Sequence, residues 1–218
     1  MRNVSEIVNS PLFEGIQTDN LKSILGCIGY HIGSYKKGEI IVLEEEHIQH
    51  IGILMSGAVD MIKEDLWGNK TMLIRMRKGE LFGETFACGD DTSSVVTFMA
   101  SGDAEILFIP FRRVMQTCTM ACAFHHRLIE NMIRIIANKS RDLMRKVEVI
   151  SKRTLREKIL AYLSLQAQIN EHRYFEIPLG RVELAEFLCA DRSALTRELS
   201  KMRDEGLIDY DKNCFRIL

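Results

Sequence analysis

Leu179-Gly180-Arg181-Val182-Glu183-Leu184-Ala185-Glu186-Phe187-Leu188-Cys189-Ala190-Asp191-Arg192-Ser193-Ala194-Leu195-Thr196-Arg197-Glu198-Leu199 reads as two short helices separated by a tight turn. In the first, Leu184, Ala185 and Leu188 recur at the spacing that gathers apolar side chains on one face; Leu195, Leu199 and Met202 do so in the second. Asp191 is placed to cap the second helix and to set an acid at the positive end of its dipole. Gly206, tolerant of positive φ, is the expected stop. This is a helix-turn-helix pattern.

The polar face of the second helix carries Arg192, Ser193, Thr196 and Arg197 near its N-terminal end. A guanidinium can donate two hydrogen bonds to guanine O6 and N7, and hydroxyls serve bases or phosphates. The N-terminal end of such a helix is the part that reaches base edges. The competing reading is a solvated helix face with incidental charges. The C-terminal residues favour DNA reading: Leu207-Ile208-Asp209-Tyr210, a turn at Asp211-Lys212-Asn213, and Cys214-Phe215-Arg216-Ile217 form a hairpin pattern. A helix-turn-helix joined to a β-ribbon is a winged helix. Arg181, just before the first helix, is placed to hold a backbone phosphate.

The phrase Asp191-Arg192-Ser193-Ala194-Leu195-Thr196-Arg197-Glu198-Leu199, with Gly206-Leu207-Ile208 after it, resembles the C-terminal domain of the cyclic-AMP receptor / fumarate-nitrate regulator (Crp/Fnr) family of bacterial transcription factors. In that family's pattern an Arg opens the recognition helix, an acidic residue comes next, and a second Arg lies one turn on. Arg192 and Arg197 match; Ser193 stands where the acid would be.

Length and composition fit this reading. The 218 residues, 46% hydrophobic, suit one or two domains with proper cores. The net charge of -1 hides an asymmetry, because residues from Lys139 onward carry 16 Lys and Arg against 13 Asp and Glu. The basic end is the one expected to meet DNA. The opening Met1-Arg2-Asn3-Val4-Ser5-Glu6 does not read as a signal peptide, so the six cysteines are expected as reduced thiols in a cytoplasmic protein. No apolar stretch approaches the roughly 20 residues of a membrane span.

Upstream, Ser5 to Leu25 offers two short helical pieces around Pro11, with Thr18 or Asp19 as cap of the second. From Ile28 to Ile109 short apolar runs alternate with glycine turns: 40–43, 51–55, 58–62, 72–76, 95–99 and 104–109. Six or more such strands suggest an antiparallel sandwich or jelly roll. Lys37-Gly38-Glu39-Ile40-Ile41, Leu54-Met55-Ser56-Gly57-Ala58-Val59 and Gly79-Glu80-Leu81-Phe82-Gly83-Glu84 resemble the cyclic-nucleotide-binding β-roll of the same family. Phe111 to Thr117 reads as a short helix. From Met120 to Ile150 there is no proline or glycine, and Leu128, Met132, Ile135, Ile136, Leu143, Val147 and Ile150 recur mostly at spacings of three and four. Such a helix of about 45 Å is too long for one small domain to cover. It should pack on the roll and on a second copy of itself, the arrangement the resemblance also implies. Thr154 to Gln168 is a further helix.

For the ligand, the resemblance implies a pocket at Gly83, Glu84, Thr85, Ser93 and Ser94, with Glu84 taking a ribose hydroxyl. Its phosphate-pairing Arg is missing: that place falls on Ser94, and no Lys or Arg occurs from Gly79 to Phe111. A buried phosphate would then rest on helix amides alone, so tight binding of cyclic AMP is not expected and the effector is left unidentified. An N-terminal iron-sulfur cluster of four thiolates is excluded, because Cys27 is the only cysteine in the first eighty residues. Cys118, Cys122 and His126 stack on one helical stripe and could serve zinc, haem or a thiol switch, but buried structural thiols are the simpler reading. The rival class is a cupin-like metalloenzyme using Glu44, Glu45, Glu46, His47 and His50. His47 and His50 would point to opposite faces of a strand, and no catalytic signature appears.

The expectation is therefore an α+β, non-enzymatic regulator with an antiparallel β-roll sensor (1–118), a long dimerisation helix (119–150) and a winged helix-turn-helix (151–218). Its expected partners are double-stranded DNA, a second copy, RNA polymerase and a small effector.

Overall fold

The structure is a computed structural model that describes residues 10–116 and 123–218. The chain divides into two compact units, Met1–Asn138 and Lys139–Leu218.

The described residues of the first unit hold eight strands: β1 (His31–Tyr35), β2 (Ile40–Val42), β3 (His50–Ser56), β4 (Val59–Glu64), β5 (Lys70–Met76), β6 (Leu81–Phe82), β7 (Thr97–Ala100) and β8 (Ala104–Pro110). They pair antiparallel as two sheets of order β1-β8-β3-β6 and β2-β7-β4-β5. Among the described residues, four α-helices accompany them: α1 (Thr18–Ile28), α2 (Glu84–Ala87), α3 (Phe111–Met115) and α4 (Ala123–Ile150), whose last residues belong to the second unit.

Strands β3 and β8 are buried on both faces, which is why 51–55 and 106–109 read as unbroken apolar runs. Ile51, Ile53, Met55, Leu107 and Ile109 point to the helical side, where they meet Leu21, Leu25, Leu128 and Met132. Leu54, Ile106 and Phe108 point into the roll, against Phe82, Phe98 and Val59. This alternation is the period of two working against two cores. Gly52 is required between them, because a Cβ there would sit 2.3 Å from the Phe82 ring. The buried Asn131 of α4 donates from Nδ2 to the carbonyls of Leu12 and Glu14, at 2.9 and 2.8 Å, and so ties the segment before α1 to the long helix.

Some expectations shift. Strands β1 and β6 were not anticipated: His31-Ile32-Gly33-Ser34-Tyr35 holds one aliphatic residue, and Leu81-Phe82 is too short to show a period. Helix α1 starts at Thr18 with Gln17 at its N-cap and no side-chain capping bond, so neither Thr18 nor Asp19 caps it. The piece expected before Pro11 lies mostly outside the described residues, and residues 11–13 form a 3-10 turn. The β4–β5 hairpin extends to a tip where Leu66 and Trp67 are 98% and 83% exposed. Asp65 fixes this tip by accepting from Trp67 N, Asn69 N and Asn69 Nδ2 at 2.8–2.9 Å.

The second unit contains the end of α4, α5 (Leu155–Asn170), β9 (Tyr174–Glu176), α6 (Arg181–Phe187), α7 (Arg192–Asp204), β10 (Ile208–Asp211) and β11 (Cys214–Ile217). The three strands form one sheet of order β10-β11-β9. Helix α5 begins with a capping box: Thr154 Oγ1 accepts from Glu157 N, and Glu157 Oε2 accepts from Thr154 N. Ile159, Tyr162, Leu163, Leu184, Leu188, Leu195, Leu199, Met202, Ile208 and Phe215 make a single core.

Both helices of the helix-turn-helix end in the same way. At the end of α7, Gly206 N donates to Arg203 O and Leu207 N to Met202 O, with Gly206 at φ +72°, a Schellman ending. At the end of α6, Cys189 N donates to Glu186 O and Ala190 N to Ala185 O, but the left-handed position, φ +52°, is filled by Cys189. Asp191 does stand at the N-cap of α7, yet its side chain makes no capping hydrogen bond. The cap expected from its residue type is therefore absent, and its carboxylate is left exposed to solvent.

Candidate DNA interface and sensor cassette

Helix α7 divides its circumference among three tasks. Leu195, Leu199 and Met202 are buried against α5, α6 and the sheet. Arg192, Ser193, Thr196 and Arg197 are all exposed on another face of the first two turns. Thr196 Oγ1 donates to Arg192 O at 2.9 Å, which leaves its oxygen lone pairs outward. Arg197 Nε donates to Ser193 O at 3.3 Å, so that side chain lies along its own helix. The four expected reading residues thus share one solvent-facing surface.

The third face holds Glu198 and, at the C-cap, Glu205, while Asp204 in the last turn stays exposed on another side. Arg156 Nε, in the first turn of α5, donates to Glu198 Oε1 at 2.6 Å, and its two terminal nitrogens donate to both oxygens of Glu205 at 2.6 and 3.0 Å. These bonds hold the Glu205 carboxyl below the usual carboxylate range and push the Arg156 guanidinium up. Lys158, two residues further along α5, donates to Leu188 O at the end of α6. None of these partners was visible in the sequence; the one signal was that Glu198 and Glu205 lie seven residues apart, on one helical stripe.

Arg181 is the first residue of α6. Its guanidinium stacks over the rings of Tyr210 and Phe215, 4.7 and 5.1 Å from their centroids. Burial lowers its pKa from the ordinary arginine value. The stack joins the start of α6 to the β10–β11 ribbon, a role beyond the phosphate contact expected of it.

In the first unit, Gly83 takes a left-handed conformation and Glu84 opens α2, 2% exposed, accepting from Thr85 Oγ1 at 3.4 Å. Ser94 is 1% exposed and folded on its own backbone: its hydroxyl donates to Val96 O at 2.6 Å and accepts from Val96 N. Ser93 Oγ instead meets His47 Nδ1 at 3.3 Å. The roll interior is filled by Phe82, Phe86, Phe98 and Phe108, with ring centroids 5.1–6.3 Å apart. A cavity of about 320 Å³ lies elsewhere, lined by Cys27, Tyr30, His31, Pro110 and Arg113 among others. A cleft of about 570 Å³ lies on the ribbon at Tyr174, Asp209, Asp211, Cys214 and Arg216.

Two family descriptions match this chain in sequence: a cyclic nucleotide-binding domain over residues 32–120 and a Crp-like helix-turn-helix domain over residues 157–218. The chain belongs to the Crp/Fnr family. It is a Crp/Fnr-type DNA-binding transcription regulator. Among its relatives is the transcriptional activator protein FnrA of Stutzerimonas stutzeri, 24% identical over 189 residues, 84% of this chain and 75% of that one. Two solved structures share the fold. One is the Thermus thermophilus Catabolite Activator Protein, with TM-score 0.51, 22% identity, and coverage of 96% of this chain and 94% of that one. The other is the c-di-GMP responsive global regulator CLP of Xanthomonas campestris, with TM-score 0.60, 17% identity, and coverage of 92% and 99%.

Of the remaining candidates, Cys118 and Cys122 lie outside the described residues. His126 is exposed, with Nε2 3.3 Å from Glu130 Oε1. His47 bridges to Ser93, while His50 opens β3 and packs edge-on to His31 at 5.4 Å. Among the described residues no group of three or more His, Cys, Asp or Glu is placed to hold a metal ion, and no helix is long and apolar enough to cross a membrane.

Proposed function

We propose that this regulator works as a homodimer that reads an inverted-repeat operator through Arg192, Ser193, Thr196 and Arg197, with Arg181 at the backbone. The single observation that carries the reading is the sorting of side chains on α7: two arginines and two hydroxyls face solvent at its N-terminal end, while Glu198 and Glu205 are turned away and held by Arg156, which offsets one of their two negative charges. The surface left for DNA is cationic and rich in donors, as phosphates and guanine edges require. The dimer reading is supported by α4, where Ile129, Ile133, Ile136, Ser140, Leu143, Val147 and Ile150 recur at alternating steps of four and three. Ile133, Leu143 and Val147 of that set are 52–62% exposed, the pattern of a coiled-coil seam lacking its mate. Two such chains would set recognition helices in major-groove segments about 34 Å apart.

The test is a footprint and affinity measurement on a duplex that the protein itself selects from a random-sequence pool. Arg197→Ala is expected to cost about 1–3 kcal/mol at that site if it reads a guanine; an unchanged footprint and affinity would remove the assignment. The effector is a small molecule received by the β-roll beside Glu84 and the start of α4, and it acts by shifting the spacing of the two winged helices. Cyclic AMP is disfavoured on charge: Ser94 holds the expected cation's place and its hydroxyl is closed on Val96 O. Calorimetric titration with cyclic AMP is expected to show no binding at micromolar concentration. RNA polymerase is the further partner that a regulator of this class implies.

A further inference from the structure

We infer that Arg156 is a positioning residue for DNA recognition: by gripping Glu198 and Glu205 together it fixes the rotation and tilt of α7 and so decides where Arg192 and Arg197 point. The inference rests on the reading of α7 as the recognition helix and adds the residue that aims it.

The geometry is specific. Seven residues advance a helix by two turns and return to within about 20° of the starting direction, a displacement of about 10 Å along the axis. Glu198 and Glu205 are therefore two handles on one stripe of α7, one mid-helix and one at its C-cap. Arg156 reaches both with three hydrogen bonds, and its planar fork fixes direction as well as distance. One contact would hold a point; two, separated along the axis, hold a line. At about 100° per residue, Ser193 and Thr196 lie roughly opposite this stripe and Arg192 and Arg197 on either flank, so any roll of α7 on its apolar packing displaces all four together. Leu195, Leu199 and Met202, 0–1% exposed, seat α7 in the core by close packing, and the directional hydrogen bonds of Arg156 add a fixed orientation on the side away from the reading residues. The partners of Arg156 lie 42 and 49 residues away in sequence, and it is itself only two residues beyond the N-cap of α5.

A purely electrostatic role, hiding two carboxylates from phosphate, makes the opposite prediction for one variant, and this separates the two. The full chain would be assayed on its selected duplex and on a random duplex at several salt concentrations, with folding monitored by near-ultraviolet circular dichroism. Arg156→Ala is expected to weaken binding to the selected duplex about tenfold while leaving random-duplex binding and the salt slope unchanged, with partial recovery in Arg156→Lys. The double variant Glu198→Ala/Glu205→Ala removes the same acceptors and also two negative charges; it should lose discrimination as well. If that variant instead binds the selected duplex as well as the parent or better, the positioning role is refuted. A salt slope lowered by about one in Arg156→Ala would show direct phosphate contact and refute it equally. If Arg156→Ala unfolds, the double variant decides; if both unfold, Arg156 is a stability element and the inference falls. A parent protein that selects no sequence from the pool would overturn the recognition-helix reading itself, a separate failure.

Discussion

At the scale of single residues, Tyr162 shows what the core tolerates. It is 3% exposed, packs against Phe187 at 5.2 Å, and its hydroxyl has no hydrogen-bond partner among the described residues. Burial pushes its pKa up to about 12, so it stays neutral at any working pH. A buried donor without a partner costs about 1–3 kcal/mol, and Tyr162→Phe should raise the unfolding free energy from urea titration by about 1 kcal/mol; a loss would mean that the hydroxyl is bonded. Glu205 behaves oppositely. Its carboxyl is depressed by Arg156, so its contribution is complete above the ordinary value of 4.5 and disappears as pH falls through the lower folded value. Urea titrations of the parent and Glu205→Gln should therefore differ at pH about 7 and converge only as the pH falls below the lowered folded-state value. The sequence exposed Arg192, Ser193, Thr196 and Arg197 because a 3.6-residue period is local information. It could not expose Arg156, whose meaning lies in partners more than forty residues away.

At the scale of elements, the turn between α6 and α7 carries a conformational cost. Cys189 sits where a glycine is usual, at φ +52°, and its side chain is exposed. A left-handed L-residue costs roughly 1–2 kcal/mol, partly offset by glycine's larger entropy when unfolded. Cys189→Gly is expected to stabilise the chain by about 0.5–1 kcal/mol in chemical denaturation, and destabilisation would indicate that the thiol makes a contact worth more than the strain. This turn was legible as a turn from its flanking helices, but its geometry was not, since the residue that marks it elsewhere is absent. Strand legibility tracked burial in the same way. Runs 51–55 and 106–109 are apolar because both faces are covered, whereas β1 has no buried residue and carries Gly33 beneath the Tyr35 and Phe108 rings.

At the scale of the whole molecule, the exposed apolar stripe of α4 governs assembly. A charge at its centre should separate the copies: Leu143→Glu is expected to sediment as a monomer and to lose cooperative binding to an inverted repeat, while keeping its circular dichroism. A dimer that persists in that variant would move the interface elsewhere. The hairpin tip has a practical consequence of another kind. Trp67 is the chain's one indole, and it stands in water on a turn braced by Asp65. Its fluorescence should emit as indole does in solvent whether the chain is native or unfolded, so it is a poor thermometer of folding. For the same reason it is a quiet background lamp, and a blue shift on adding any molecule would report that something has come to rest on that tip.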